Sequence, residues 1–125
     1  MALATLDRPR PPTSAEAGRP PRSVTTIDEE EAIRYASWFK VLAEPTRLRI
    51  LHLLARHDEP VCVCDIVDQF PLGQPAISHH LKLLRDARFV LSERRGTFIY
   101  YRVNPACLSV FPEAARRILD PKSSP

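Results

Sequence analysis

Apolar positions recur every three or four residues through most of residues 28–119, and this helical spacing gives way twice to short β-rich runs. "DEEEAIRYASWFKVLAE" opens on acids, which favour a helix N-terminus. Ala32, Tyr35, Ala36, Phe39 and Ala43 then fall on one broad face. A second helix is predicted from Pro45 through "TRLRILHLLAR", with Leu48, Leu51 and Leu54 as core contacts. "HDEP" ends it at Pro60. "VCV" suits a brief strand, and "CDIVDQF" a short helix that buries Ile66, Val67 and Phe70. "PLG" is a turn, followed by a longer helix in "QPAISHHLKLLRDA". "FVLSERRGTFIYYRV" reads as two strands around Gly96. "NPACLSVFPEAARRIL" is a last helix, with Asn104 as cap, Pro105 at its first position and Pro112 as a kink or restart.

This order is mainly α with a β-hairpin. A short helix, a tight turn and a longer helix make a helix-turn-helix, and a hairpin straight after it makes the winged form. The second helix of the motif is strongly two-faced. Ile77, Leu81 and Leu84 share one stripe, while Gln74, Pro75, Ser78, His79, Lys82 and Asp86 lie opposite. His80 falls at the edge of the stripe, so His79 is expected outward and His80 half-buried. Amide, hydroxyl, imidazole and ammonium groups on one face can bond base edges and phosphates.

Charge supports that reading. Residues 28–73 hold five Lys/Arg against nine Asp/Glu, whereas residues 74–103 hold six against two, although the whole chain carries only +3. Arg94 and Arg95 stand at the predicted hairpin tip, within reach of phosphate. The expected partner is double-stranded DNA, with Gln74, Ser78, His79, Lys82, Arg94 and Arg95 as its contacts. Residues 1–27, with five prolines and little apolar content, are read as a disordered arm, 28–120 as one domain and 121–125 as a flexible tail. No apolar run approaches the roughly 20 residues of a membrane span. No secretory signal is visible, so a cytoplasmic setting with reduced thiols is expected, and no membrane partner.

Of the chain's three cysteines, Cys62 and Cys64 are one residue apart. In a helix, positions two apart point about 200° from each other and could not share a small ion; in extended chain they point to the same side. A chelating pair therefore needs Cys62 and its link to Cys64 outside regular helix, which Pro60 permits. The helix start is expected to favour thiolate at Cys64. A metal site, a redox or reactive-sulfur switch and two small core residues remain open, and a CxC thiol oxidoreductase is a further alternative that lacks the usual C-x-x-C setting.

"LAEPTRLRIL", "VCVCDIV", "QPAISHHLKLLRDARFV" and "RRGTFIYYRV", in this order, resemble the ArsR/SmtB family of bacterial metal-sensing repressors over roughly residues 33–119. The resemblance implies a winged helix-turn-helix homodimer joined through its first and last helices. It also implies a repressor, not an enzyme, that binds its operator without a cofactor and leaves it when metal binds. "CVCD" is similar to the thiol site of the arsenite and antimonite sensors, which implies As(III) or Sb(III) as inducer. The third cysteine of those sensors falls at Val67 here, and their preceding glutamate at Pro60. The arm has no cysteine, as cadmium and lead sensors do, and the last helix has no histidine, as zinc, nickel and cobalt sensors do. Cys107 is the candidate third thiol. A strand at 61–63 pairing antiparallel with the last wing strand would carry Cys64 away from Cys107 within one chain, so a dimer partner would have to supply it. Two thiols alone would suit an organoarsenical, or arsenite with an outside thiol.

Overall fold

The computed structural model describes residues 24–120 and Lys122. Most of the expected arm, residues 1–23, and all of the expected tail except Lys122 lie outside the described residues. Five helices and three strands follow in the order α1 (Glu29–Leu42), α2 (Pro45–Ala55), β1 (Val61–Cys62), α3 (Val63–Val67), α4 (Gln74–Asp86), β2 (Val90–Arg95), β3 (Phe98–Val103) and α5 (Cys107–Leu119). The winged helix-turn-helix read from the sequence is present, with α3 and α4 as the motif and β2–β3 as the wing.

Local chemistry explains the boundaries. Asp28 caps α1, its carboxylate accepting the Glu31 N–H at 2.8 Å. Glu44 does the same for α2, accepting from the Arg47 N–H at 3.0 Å just ahead of Pro45. α4 ends in a Schellman turn: Phe89 N–H donates to Leu84 C=O and Arg88 N–H to Arg85 C=O, both at 2.9 Å. The left-handed position of that turn is Arg88, at φ +65°, where glycine is usual. Gly96, at φ +64°, takes the first position of the two-residue wing turn between Arg95 and Phe98, the positive φ that a type II′ hairpin requires.

The sheet order is β1-β3-β2, antiparallel throughout. Val61 pairs with Tyr101 and Cys62 with Tyr100, so the expected pairing of the short strand with the last wing strand holds. Beneath the sheet, Ile50, Leu54, Ile66, Ile77, Leu81, Leu84 and Val90 are almost wholly excluded from solvent, with Val61, Phe70, Phe89 and Tyr101 around them. Each fully buried aliphatic side chain contributes about 1.5–3 kcal/mol. α2, α3, α4 and the base of the wing are thereby locked into one unit.

Several expectations need correction. The inward face of α1 is Tyr35, Trp38, Val41 and Leu42; of the predicted set only Tyr35 is buried, and Ala32, Ala36, Phe39 and Ala43 are exposed. The spacing did not single out the packed side, because alanine weighs little in deciding which face packs. In α2, Ile50 fills the core and Leu48 is exposed. α5 begins at Cys107, two residues later than expected: Asn104 Oδ1 accepts from Ala106 N–H at 3.1 Å and so caps a turn ahead of the helix. Pro112 does not restart α5, which is continuous through it. Phe111 turns inward, with ring centroids 5.3 Å from Phe39 and 6.1 Å from Phe89. A second tie joins α1 to α5. The Arg117 guanidinium forks onto the Glu31 carboxylate at 2.8 and 2.9 Å, and the Tyr35 hydroxyl donates to the same group at 3.0 Å. Arg117 first, and then Tyr35, hold Glu31 below the usual carboxylate range.

Candidate functional site

α4 presents two faces as its spacing demands. Ile77, Leu81 and Leu84 point into the core, and Gln74, Pro75, Ser78, His79, Lys82 and Asp86 face solvent. His79 is exposed and His80 half-buried, as expected. Lys82 rests 3.5 Å from Asp86, one turn on, and Arg85 lies 3.8 Å from the same carboxylate. Both pairs are exposed, so both cations can exchange the aspartate for another anion.

His80 anchors the helix from behind. Arg47 Nη1 lies 3.1 Å from His80 Nδ1, and since arginine can only donate, Nδ1 is the acceptor in this contact. The same guanidinium donates through Nε to the Val41 carbonyl at the end of α1. Glu44 stands 3.9 Å from the His80 ring. Glu44 and Arg47 therefore hold α4 against the α1–α2 corner. Sequence reasoning missed them. The signal was present as a cap glutamate three residues before an arginine, but nothing local shows that the arginine reaches across 33 residues to His80.

The wing carries Arg94 and Arg95 at its tip, and β alternation sends them to opposite faces. Arg94 makes one contact, Nε to the Gly96 carbonyl at 3.3 Å. Arg95 is seated: it grips Glu93 at 3.1 and 3.3 Å, and its guanidinium lies 4.6 Å over the Tyr100 ring.

The thiols fall into two places. Cys62, only 5% exposed, closes β1 and is the N-cap of α3, its Sγ accepting the Cys64 N–H at 3.4 Å. Its backbone is extended (φ −63°, ψ 141°), as a pair requires of Cys62, but the link to Cys64 is not outside helix, since Val63 is the first residue of α3. Cys64 is exposed. Its thiol is pushed above the ordinary value, first by a hydrogen bond with the Cys62 side chain, then by desolvation and by the charges of Cys62 and Asp65. The Cys62 side chain thus lies against the start of α3, and it is the first cause of the raised Cys64 thiol. The expected thiolate at Cys64 is corrected: α3 is five residues long, too short for its dipole to outweigh a neighbouring sulfur and Asp65. An open groove of about 500 Å³ lies beside Cys62, walled by His57, Asp58, Glu59, Asp65 and Tyr100.

Cys107 stands elsewhere, on the first turn of α5, half-buried, its thiol 3.8 Å from the carbonyls of Arg88 and Phe89. It lines an apolar cavity of about 200 Å³ with Trp38, Phe89 and Phe111, and burial raises its thiol. Among the described residues of one chain, no three His, Cys, Asp or Glu side chains gather to hold a metal ion. No described helix is long and apolar enough to cross a membrane.

Comparison with known proteins agrees with this arrangement. The family model "Bacterial regulatory protein, arsR family" matches residues 44–92, from the cap of α2 into β2. An arsenic resistance transcriptional regulator of Pseudomonas putida is 45% identical over 67 residues, 54% of this chain and 52% of its own length. An arsenical resistance operon repressor of Bacillus subtilis is 39% identical over 71 residues, 57% of this chain and 67% of its own. The chain thus spans about half of the first of these relatives and two thirds of the second. The solved ArsR-like transcriptional regulator from Rhodococcus sp. RHA1 superposes with a TM-score of 0.64 at 27% identity, covering 73% of this chain and 82% of that one.

Proposed function

The chain belongs to the arsR family of bacterial regulatory proteins, and from that premise we propose that it is a homodimeric repressor that leaves its operator when trivalent arsenic bonds to Cys62 and Cys64. The observation that carries the reading is the placing of Cys62 as the N-cap of α3, its Sγ accepting the Cys64 N–H, on the helix packed directly against α4. Relatives named for arsenic resistance support it.

The chemistry suits neutral thiols. Each thiol forms one As–S bond and hands its proton to the hydroxide that leaves arsenic. As(OH)3 and two thiols give (RS)2AsOH and two waters with no change of oxidation state. A thiol held above its ordinary value brings that proton with it. Cys62 cannot swing to a shared ligand and still cap α3, so binding frees the Cys64 N–H and loosens the start of the helix. α3 supports α4, and the reading face loses its setting. Moving occupancy from 99:1 to 1:99 needs about 5.5 kcal/mol of differential affinity.

On the DNA, Gln74, Ser78 and His79 lie at the N-terminal end of α4, the end that enters a major groove in such motifs. Lys82, Arg94 and Arg95 take phosphates. One such helix reads too few base pairs to select an operator, so two copies reading an inverted repeat are required. The exposed apolar residues Ile33 and Phe39 of α1 and Leu108, Ile118 and Leu119 of α5 supply the intersubunit face. Cys107, close to that face, is left outside the minimal site.

The test is fluorescence anisotropy of a labelled operator with arsenite titrated in. Wild type should release the DNA, and Cys64→Ser should bind it and stay bound; release from Cys64→Ser would sink the site. His79→Ala should narrow the gap between operator and random DNA by about 1–3 kcal/mol, and equal losses on both DNAs would remove His79 from base reading.

A further inference from the structure

We propose that Tyr100 relays occupation of the thiol pair to Arg95 on the wing, so that release acts through the hairpin as well as through the reading helix. This rests on the arsenite reading above. The relay is a row of side chains across the sheet. Cys62 on β1 pairs with Tyr100 on β3, and Tyr100 pairs with Glu93 on β2. Residues directly opposite in antiparallel strands share a face, so these three side chains stand side by side on the outer face. On one flank, Tyr100 walls the groove that opens beside Cys62. On the other, its ring carries the Arg95 guanidinium at 4.6 Å, and Glu93 clamps that guanidinium at 3.1 and 3.3 Å. The acidic lip adds to the seat: Arg95 is held charged first by Glu93, and the charge of Glu59, in the loop that walls the thiol groove, also acts on it.

β1 is the weak link that makes the row movable. It is two residues long and lies on the sheet edge, and its last residue is also the cap of α3. Drawing Cys62 and Cys64 onto one atom therefore pulls on a strand held to β3 by only two residue pairs, Val61–Tyr101 and Cys62–Tyr100. A ligand on Cys62 enters a groove of which the Tyr100 ring is one wall. A tilt of that ring removes the platform under Arg95, and the wing loses a placed cation. By contrast, in the neighbouring row Val61–Tyr101–Ser92 the first two side chains are buried in the core, and Arg94, on the same side of the wing as Ser92, has no path to the thiols.

The experiment measures operator dissociation constants with and without arsenite over a salt series, for full-length wild type, Tyr100→Phe, Tyr100→Leu and Arg95→Ala. Titration of remaining thiols at the same arsenite concentration reports binding itself. The ratio of dissociation constants in each variant is the coupling. Tyr100→Phe keeps the ring and should keep the wild-type ratio. Tyr100→Leu and Arg95→Ala should each lower it by about 5- to 10-fold, the range in which residues along a coupling route act, and the double variant should lower it no further. In wild type, arsenite should also reduce the salt slope by about one unit, and in Arg95→Ala it should not. Full wild-type coupling in Tyr100→Leu and Arg95→Ala overturns the relay, and so does a loss of arsenite binding in Tyr100→Leu that by itself accounts for the lost response. Should Tyr100→Leu fail to fold, the surface variant Arg95→Ala decides alone. Wild type that never releases DNA with arsenite overturns the arsenite reading, and the relay with it, and is distinguished from intact release in the variants.

Discussion

Cys64 and Cys107 both sit in the first turn of a helix, and both thiols are raised, yet for different reasons. Cys64 is exposed and raised first by the sulfur of Cys62. Cys107 is half-buried and raised by burial alone, over an apolar cavity and two backbone carbonyls. A helix start does not set the chemistry of a cysteine in this protein; the groups facing it do. One place offers two donors to a thiophilic ion, and the other offers one thiol and aromatic walls.

The largest difference should appear in the response to arsenite. Cys62→Ser or Cys64→Ser should erase a coupling on the order of 5.5 kcal/mol, while Cys107→Ser should leave it whole in operator-release assays. A response lost in Cys107→Ser would merge the two places into one intersubunit site. Next comes packing. Ile66, on the thiol pair's own helix, is fully buried, and Ile66→Ala should cost about 2–5 kcal/mol in urea unfolding. Leu108, beside Cys107, is 84% exposed, and Leu108→Ala should change the folding of the subunit by under about 0.5 kcal/mol. Its effect belongs to dimer dissociation, read by sedimentation.

A smaller gain is expected behind Cys107. Arg88 holds a left-handed backbone that costs an L-residue about 1 kcal/mol, so Arg88→Gly should raise the unfolding free energy by about that amount. The carbonyl that receives Asn104 Nδ2 at 2.9 Å is kept. The subtlest contrast is titration. Cys62→Ala removes the first cause of the raised Cys64 thiol, so the alkylation rate of Cys64 should rise at lower pH than in wild type, with the profile of Cys107 unmoved. A joint shift would mean that the two places communicate.

Much of this was legible in the chain. α4 was readable because its apolar and polar residues separate cleanly, so that Ile77, Leu81, Leu84, His79 and His80 all lie where the period places them. The wing was readable because Gly96 stands between two β-rich runs, and the short strand because Pro60 and valines bracket Cys62. α1 was not, since alanine, isoleucine and aromatics surround that helix and the period alone does not choose among them. Nor was the Schellman turn, because arginine took the position where a glycine would have marked it.

The order of elements, the two faces of α4 and the need for Cys62 to lie outside a helix follow from spacing and backbone geometry, which act over a few residues. Which face of α1 packs, the reach of Arg47 to His80 and the row Cys62–Tyr100–Glu93 were decided only when strands and helices far apart in the chain came together. The fate of Cys64 belongs with them. Its place at a helix start argued for thiolate, but the neighbouring Cys62 side chain raises its thiol, and that neighbour outweighs the end of a helix only five residues long.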